Sequence, residues 1–558
     1  MLRGYSSRAT APVQNQAIGI PFAASPYLVK SLTNTAGCVI LGANAKSGEF
    51  FLAQRVSTAI PMAERAYLAI DMGASSGRHV AGMFDGRLLK LVEIYRFDNG
   101  PVPMAGHIYW DLPAQWMQVC RGLRAAGAAR LGPIVSVGVD TWGVDFGLLG
   151  RGDELLGNPV HYRDPRTEGL LTRAFEIMPR EKIFAQTGLQ FMQFNTLYQL
   201  WAMRLARSPL LDCAESLLLM PDLFHWLLTG EKANELTNAT TTQFFDPRQN
   251  AWARGLLADF EIPERILGEI LPPGTTLGRL RPQVAAETLL EGVNVVLPGT
   301  HDTASAVVAV PAEGAADERP NWCYISSGTW SLMGAEVPKP VINDTCLALN
   351  FTNEGGVGGT TRLLKNIAGL WLVQECRRAW NDANAGYSWD DLNRLAAAAR
   401  PLVSLIDPDD PAFLAPANMP EAIRGYCRRT GQPPPPDEGS LIRCALESLA
   451  LRYRQVFGGL EQLVGGRIDT IHIVGGGARN RQLCQATADA CHRTVLAGPV
   501  EATAIGNLLV QAIAGHDIGS ISEARQVVRD SFPVERYEPR NAPTWDDAFE
   551  RFRSLTRP

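Results

Sequence analysis

Two segments far apart in the chain share one pattern, and this repetition constrains the fold more than any other feature. In the first, an apolar strand predicted over Tyr67–Asp71 leads through a small-residue turn into a second strand over Arg78–Phe84. In the second, Cys323–Ser326 leads through Ser327–Thr329 into Trp330–Gly334. Because the remaining segments alternate between strands and helices, the repeated unit predicts an α/β protein with two related halves.

Length and composition agree with a large globular protein. The chain has 558 residues, of which 46% are hydrophobic and 20% are charged, so a disordered or fibrous protein is excluded. A net charge of −5 argues against a nucleic-acid-binding protein. No apolar run approaches the roughly 18–20 residues of a membrane-spanning helix. The ten cysteines form no CxxC pair, so we expect reduced thiols in a cytoplasmic protein rather than a zinc site or a disulfide framework.

The first 61 residues differ from the rest of the chain. They contain no acidic residue before Glu49 and are rich in Ser, Ala and Thr. We interpret residues 1–61 as a disordered extension or as a start site placed too early, with translation beginning at Met62; a targeting peptide is the alternative. The Ala-, Glu- and Pro-rich stretch at Pro311–Pro320 predicts a boundary between domains over 62–310 and 311–545, followed by a tail over 546–558.

Further elements follow from hydrophobic periodicity. The pattern predicts helices over Pro113–Arg130, Glu215–Leu228 and Leu441–Leu463, and strands over Ile134–Asp140 and Ile471–Val474.

The first turn, Asp71-Met-Gly-Ala-Ser-Ser-Gly-Arg78, has the composition of an anion-binding loop. Small residues let backbone N–H groups approach a phosphate, and Arg78 would neutralise its charge. Asp71, at the end of a strand, would hold Mg²⁺ directly or through water. The structural alternative is a plain hairpin with a capped turn. Ser326-Ser-Gly-Thr-Trp330 repeats the composition and has the same alternative.

Two further motifs follow predicted buried strands. In His301-Asp302-Thr303, a carboxylate at the mouth of a helix would serve as a general base; the alternatives are a helix N-cap and a metal-dependent hydrolase site. Gly475-Gly476-Gly477 would let the chain lie against a planar ligand, or would only make a tight turn. In Asp140-Thr-Trp-Gly-Val-Asp145, Trp142 would pack on a sugar face or in the core.

The order of these motifs resembles that of the FGGY carbohydrate kinases, in the actin/hexokinase-like ATPase superfamily. The resemblance extends to the branch of the family that acts on L-rhamnulose. It is carried, in this order, by the segments DMGASSGR, GVDTWGVDFGLL, YRDPRTEG, FNTLYQL, LLLMPD, TNATTTQ, HDTASAV, SSGTWSLMG, TNEGG, LKNIAGLW, HIVGGGARN and AGPVEATAIGN. Together these segments span Tyr67 to about Tyr537.

The resemblance implies a role for each matching position. Those similar to the family's ATP contacts are Ala74, Ser75, Ser76, Gly77, Arg78, Thr329, Gln374 and Gly476. Those similar to its sugar contacts are Gly143, His301, Asp302, Thr303 and Asn366, with Asp302 as the proton acceptor.

The implied fold is a pair of actin/hexokinase-like (ribonuclease H-like) α/β domains with the active site in the cleft between them. The implied activity is ATP- and Mg²⁺-dependent phosphorylation of L-rhamnulose at O1, in L-rhamnose catabolism, by a monomer or small homo-oligomer. Two alternatives stay open: a kinase for another ketose such as L-fuculose or L-xylulose, and a catalytically silent sugar-sensing protein on the same fold.

Overall fold

The computed structural model describes residues 65–129, 131–314 and 316–556. The predictions for residues 1–61 and for a start at Met62 lie outside the described residues. The strands are β1 (Arg65–Met72), β2 (Ser76–Phe84), β3 (Leu89–Asp98), β4 (Val102–Met104), β5 (His107–Tyr109), β6 (Ile134–Thr141), β7 (Phe146–Leu149), β8 (Ser216–Leu219), β9 (Asn234–Glu235), β10 (Phe245–Asp246), β11 (Ala251–Trp252), β12 (Ile270–Leu271), β13 (Thr276–Arg279), β14 (Asn294–Val296), β15 (Trp322–Ser327), β16 (Trp330–Val337), β17 (Thr352–Gly355), β18 (Thr361–Ala368), β19 (Thr470–Val474), β20 (Thr494–Ala497) and β21 (Glu535–Tyr537).

The α-helices are α1 (Leu112–Ala128), α2 (Leu170–Ile177), α3 (Arg180–Thr187), α4 (Thr196–Leu205), α5 (Pro209–Cys213), α6 (Met220–Thr229), α7 (Leu236–Ala239), α8 (Arg254–Asp259), α9 (Pro282–Thr288), α10 (Asp302–Val308), α11 (Asp344–Leu349), α12 (Trp371–Asp382), α13 (Trp389–Ala398), α14 (Met419–Arg429), α15 (Glu438–Val464), α16 (Arg481–Cys491), α17 (Ala502–Ala514), α18 (Ile521–Ser531) and α19 (Ala542–Leu555). Among the helices in the described ranges, none is long and apolar enough to cross a lipid bilayer.

The two main sheets have the same internal order. The first runs β13-β14-β6-β1-β2-β3 and the second runs β17-β18-β16-β15-β19-β20-β21. In each, a central strand pairs antiparallel with the next strand of its hairpin and parallel with a later strand, as β1 does with β2 and β6, and β15 with β16 and β19. An antiparallel edge strand, β13 or β21, follows the second parallel strand. The predicted relation between the two halves is therefore confirmed.

Most predicted elements lie within a few residues of the observed ones, but one prediction was partly wrong. Glu215–Leu228 does not form a single helix, because Ser216–Leu219 is strand β8 and pairs antiparallel with β7. A short apolar run such as Leu217–Leu219 suits a buried strand or a buried helix equally. Its pairing partner, far away in sequence, decides between them.

The C-terminal segment also differs from the expected tail. The predicted limit at residue 545 falls inside α19, and Trp545, Ala548 and Phe552 of this helix are buried in a small apolar cluster. The predicted boundary at residue 545 therefore falls within a helix that packs against the rest of the domain.

The two halves meet where helices α10 and α17 cross. A Cβ atom placed on Gly506 of α17 would lie 1.7 Å from the carbonyl oxygen of Ser305 in α10, so only glycine allows this approach. The next turn of α17 reaches the first sheet, where the Asn507 amide donates to the Gly138 carbonyl (3.2 Å) and the Gln511 amide to the Leu68 carbonyl (3.0 Å). The crossing thus fixes the position of one sheet relative to the other.

Gly506→Ala tests this crossing. Because the new methyl group meets a backbone carbonyl that cannot rotate away, we expect overpacking to lower the free energy of unfolding by about 1–3 kcal/mol. The melting temperature measured by calorimetry reports the loss. Gly458→Ala is the matched control, since Gly458 is an exposed glycine inside α15 and, apart from its own helix backbone and chain neighbours, no atom lies within 4 Å of its Cβ position. Alanine there should stabilise the helix by about 0.5–1 kcal/mol. Equal melting temperatures for the two variants would contradict the tight crossing.

Candidate active site

A cavity of about 320 Å³ lies where the ends of the two sheets converge. Most of the predicted site residues line it: Asp71, Ala74, Ser75, Arg78, Gly143, His301, Asp302, Thr303, Thr329, Asn366, Gln374 and Gly476. Ser76 and Gly77 are not among its lining residues. A Cβ atom on Gly77 would lie 2.2 Å from the ring of Phe97, so packing within the sheet requires this glycine.

The first turn is tight and carries a fixed arginine. The Gly73 N–H donates to the Ser76 carbonyl (2.9 Å), which closes the turn between β1 and β2. Arg78 donates to Oδ2 of Asp71 from Nε (2.9 Å) and Nη2 (2.6 Å), and its Nη1 contacts Glu501. Burial by itself would lower the pKa of Arg78, but the two carboxylates outweigh it and raise that pKa above the usual value. The guanidinium is therefore held as a permanent cation beside the turn.

Asp140 is a second carboxylate beside this turn. It is fully buried, and it pairs in register with Asp71 on the neighbouring parallel strand. Its Oδ2 accepts a hydrogen bond from the Asn507 amide (2.5 Å), whereas its Oδ1 is buried without a partner. Burial and the charge of Asp71 raise the pKa of Asp140 well above the usual value. An orphaned carboxylate oxygen next to Asp71 suits a divalent cation.

The second turn and the glycine triplet form the opposite wall. Oγ1 of Thr329 donates to Oε1 of Gln374, which lies one turn into α12 (3.2 Å). Gly475 has φ of +83°, and a Cβ atom on Gly477 would lie 2.0 Å from Oγ of Ser327. Gly476 lines the cavity with open space at its Cβ position. Gly475 is therefore needed for its backbone conformation and Gly477 for its close contact with Ser327, whereas Gly476 leaves a flat surface for a ligand.

Asp302 is the first residue of α10 and faces the cavity. Its Oδ1 accepts hydrogen bonds from the N–H (2.5 Å) and the Oγ1 hydroxyl (3.1 Å) of Thr303. The N-cap of α10 is His301, so the capping alternative does not describe Asp302. Burial raises the pKa of Asp302, and the charge of Asp71 adds to this. The side chain still keeps 33% of its surface exposed, so the carboxylate can reach a ligand in the cavity.

The metal-dependent hydrolase alternative has no geometric support. In the part of the chain that the structure describes, no group of three or more His, Cys, Asp or Glu side chains is arranged to hold a metal ion by itself.

The other end of the cavity pairs amide groups with aromatic rings. Oε1 of Gln190 accepts from the backbone N–H (2.9 Å) and the side-chain amide (3.1 Å) of Asn366. Gly143 lies against Thr241, where a Cβ atom would come within 3.0 Å of the side chain. The aromatic residues of the wall are Trp142, Tyr162, Phe194 and Trp330. Apolar ring faces beside amide groups are suited to a polyhydroxylated ligand with C–H faces.

Family models match both halves of the chain. Residues 66–309 match the N-terminal domain of the FGGY family of carbohydrate kinases, and residues 323–515 match its C-terminal domain. The chain belongs to the FGGY family of carbohydrate kinases. The family expected from the motifs, and its two-domain α/β fold, are thereby confirmed.

Relatives within the family are similar over nearly their whole length. A rhamnulokinase from Bacteroides thetaiotaomicron is 43% identical over 491 residues, covering 88% of this chain and 99% of the relative. A rhamnulokinase from Bacillus subtilis is 40% identical, covering 85% and 96%. Two solved structures share the fold at 15% identity. Xylulose kinase from Lactobacillus acidophilus has a TM-score of 0.73 and Plasmodium falciparum glycerol kinase with ADP has 0.67; each covers 88% of this chain, and 97% and 98% of the other chain respectively.

Several residues that line this cavity or contact its lining were not predicted as site residues from the sequence. Glu354, Gln190 and Glu501 contact predicted site residues from elements far away in sequence. Glu354 lies in the TNEGG segment that carries the family resemblance, which was the available signal. Glu501 likewise lies in the AGPVEATAIGN segment, whereas Gln190 stands in none of the quoted segments.

Asp145 is a buried carboxylate that accepts hydrogen bonds from residues of the aromatic wall and from their neighbours. Its Oδ2 accepts from the indole N–H groups of Trp110 (2.7 Å) and Trp142 (3.0 Å) and from the backbone N–H of Tyr162 (3.1 Å). Its Oδ1 accepts from the Gln199 amide (2.9 Å). Four donors on one carboxylate fix the rings that face the cavity. Trp142 is therefore largely buried and also lines the cavity, and its contact with a sugar stays a prediction.

Asp145→Asn tests whether the charge of this buried carboxylate affects stability. Burial raises the pKa of Asp145 to about 6, above the roughly 3.9 of an exposed aspartate. A carboxyl whose pKa rises on folding stabilises the native state at low pH, and this contribution is lost as the pH rises through the folded pKa. Because asparagine does not ionise, we expect the melting temperature of D145N to gain on that of the wild type as the pH rises from about 4 to about 6.5.

Asp85→Asn is the control with the opposite sign. The exposed Asp85 accepts from the backbone N–H groups of Leu88 and Arg87, which lower its pKa. The melting temperature of the wild type should therefore rise relative to that of D85N as the pH rises towards about 5. A constant difference between D145N and the wild type across the whole range would contradict the raised pKa of Asp145.

Proposed function

We propose that this kinase transfers the γ-phosphoryl group of ATP to the 1-hydroxyl of L-rhamnulose, giving L-rhamnulose 1-phosphate and ADP. FGGY carbohydrate kinases use ATP. The observation that carries the choice of sugar is the similarity, at 40–43% identity, to proteins named rhamnulokinase over nearly their full length. The amide and aromatic groups at one end of the cavity are compatible with a ketose.

In this proposal the cavity is divided between the two halves of the chain. The N-terminal half, 62–310, contributes most of the sugar pocket, the first phosphate turn and the base, and Asn366 of the C-terminal half completes the sugar pocket. The C-terminal half, 311–545, contributes the second phosphate turn at Thr329 and the nucleotide contacts at Gln374 and Gly476. Gly143, His301, Thr303 and Asn366 bind the sugar. Neither half holds a complete site, so the reaction needs the packing of one against the other.

The proposed chemistry depends on Asp302. Thr303 occupies Oδ1 of this carboxylate, which leaves Oδ2 to accept the proton of the sugar hydroxyl. The oxygen that loses the proton then attacks the γ-phosphorus in line, and the β–γ bridging oxygen leaves with ADP. The raised pKa of Asp302 favours this role, because a base is most effective when its pKa lies near the working pH. Holding the two reactants in line supplies most of the remaining acceleration.

Charge on the transferring group is balanced by the first turn. Backbone N–H groups of Ala74 and Ser75 and the fixed Arg78 guanidinium face the phosphates in this proposal. Asp71, with the orphaned oxygen of Asp140 beside it, would hold Mg²⁺. When bound, this ion would neutralise the negative charge of the phosphate oxygens.

A panel of ketoses tests the choice of substrate. ADP formation by the full-length protein is measured with ATP, Mg²⁺ and L-rhamnulose, L-fuculose or L-xylulose, each with a no-sugar control. We expect kcat/KM to be highest for L-rhamnulose. A higher value for L-fuculose or L-xylulose would reassign the substrate within the same class. Sugar binding without turnover of any ketose would favour the silent sugar-sensing alternative.

Asp302→Asn tests the base. The amide keeps the shape of the carboxylate but cannot accept the proton, so we expect kcat to fall by about 10²–10⁴. Calorimetry should still detect binding of sugar and ATP. Asp344→Asn is the matched control, since Asp344 is an exposed aspartate in the same position of another helix, α11, away from the cavity. Near-normal turnover by D302N, with D344N also normal, would remove Asp302 from the mechanism.

A further inference from the structure

His301 is held by both halves of the protein. Its backbone belongs to the first half: the His301 N–H donates to Oγ1 of Thr237 (3.1 Å), and the residue forms a parallel bridge with Thr141. Its ring points towards the second sheet, where it meets strand β17. The ring is buried, with only 9% of the side chain exposed. Its orientation is therefore decided by its neighbours rather than by water.

Carboxylate oxygens face both nitrogens of this ring. Nδ1 lies 3.2 Å from Oε2 of Glu354, and Nε2 lies 3.5 Å from Oδ1 of Asp302. Each nitrogen of the ring therefore lies beside an oxygen of a different carboxylate. The arrangement forms a continuous line from Glu354 through His301 to Asp302.

Glu354 is itself anchored by a buried arginine. Arg362, directly opposite Glu354 on the neighbouring strand β18, has no exposed side-chain surface, and its Nη2 lies 3.2 Å from Oε2 of Glu354. Its Nε also donates to the Gly355 carbonyl (2.8 Å). Burial would raise the pKa of Glu354, but Arg362 and His301 outweigh burial and lower it. Glu354 thus stays ionised.

Arg362 also approaches the ring, with its Nη2 3.3 Å from Nδ1. A guanidinium has no acceptor, so it could pair with Nδ1 only if that nitrogen carried no proton. The ionised Glu354 oxygen at 3.2 Å favours a proton on Nδ1. We therefore assign the Nδ1 hydrogen bond to Glu354.

We propose that Glu354 is a positioning residue for the phosphoryl-transfer reaction: it fixes the His301 ring so that Nε2 faces Asp302 and keeps that carboxylate aimed at the sugar hydroxyl. The inference rests on the proposed role of Asp302 as the base. Because β17 belongs to the second sheet and the backbone of His301 to the first half, Glu354 also makes the geometry of the base depend on how the two halves pack. A hydrogen bond made by one ring nitrogen of a histidine commonly fixes the orientation of the whole ring, and with it the direction of the other nitrogen.

Glu354→Gln tests the proposal with the full-length enzyme. The amide has nearly the same size but no charge, so it holds the Nδ1 proton weakly and the ring loses its fixed orientation. We expect kcat to fall about 10–100-fold, the cost of misplacing a reacting group by a fraction of a bond length up to about 1 Å. The KM for ATP should stay at the wild-type value, since Glu354 lies at the base and not at the glycine triplet.

Glu336→Gln is the matched control. Glu336 on β16 forms an equally buried ion pair with Arg525, in the same sheet, but does not line the cavity. Both substitutions leave a buried arginine without its carboxylate and should lower the melting temperature by similar amounts. Only E354Q should lower kcat in the folded enzyme.

A double-mutant cycle separates positioning from a general loss of packing. If Glu354 acts through the imidazole, adding E354Q to His301→Asn should change kcat by less than about twofold, because the partner is already gone. Additive losses in the cycle, or an E354Q kcat equal to that of E336Q, would overturn the proposal. If E354Q does not yield folded protein, Glu354→Asp takes its place, since it keeps the charge for Arg362 but withdraws the carboxylate from Nδ1. A wild-type kcat for E354D would then overturn the proposal.

These variants are assayed with the ketose that the wild-type enzyme turns over fastest. Loss of activity in D302N together with normal kcat in E354Q would defeat the Glu354 inference alone. Normal activity in D302N would defeat the proposed base itself, and the two failures are thereby distinguished.

Discussion

The close crossing of α10 and α17 is the contact on which the rest of the structure depends. Gly506 has no Cβ atom, and the Ser305 carbonyl occupies the space that a Cβ atom would need. Just beyond it, Asn507 donates to Asp140 at the end of a central strand of the first sheet. One helix from the second half therefore fixes both the angle between the sheets and a carboxylate of the first. Because α10 also begins at Asp302, the same crossing sets the position of the proposed base.

A second theme is the concentration of buried carboxylates at the strand ends. Burial raises the pKa values of Asp140, Asp145 and Asp302, so each of these groups costs stability when it is ionised. Each is compensated in a different way: Asp145 by four N–H donors, Asp302 by Thr303 and exposure to the cavity, and Asp140 by Asn507 on only one of its oxygens. The least satisfied of these carboxylates, Asp140, lies beside the turn between β1 and β2. Such under-compensated polar groups are commonly found at functional sites.

The motifs predicted much of this architecture, because their chemistry is local. Asp71 and Arg78 stand on paired strands of one hairpin, so their ion pair follows from the turn between them. Asp302 follows a buried strand and begins a helix, and this order alone places a carboxylate at the end of a sheet. Local pattern failed where a partner decided the outcome. Ser216–Leu219 is a strand because β7 lies beside it.

The sequence by itself determined the α/β class, the two related halves and the residues most exposed to the cavity, since each is written in short stretches of neighbouring residues. Only the tertiary structure decided what holds those residues in place. Glu354 meets His301, Gln190 meets Asn366 and Glu501 meets Arg78 across long separations in the chain. Hydrogen bonds and ion pairs act over about 3 Å, and no periodicity or motif records which distant side chains folding will bring to that distance.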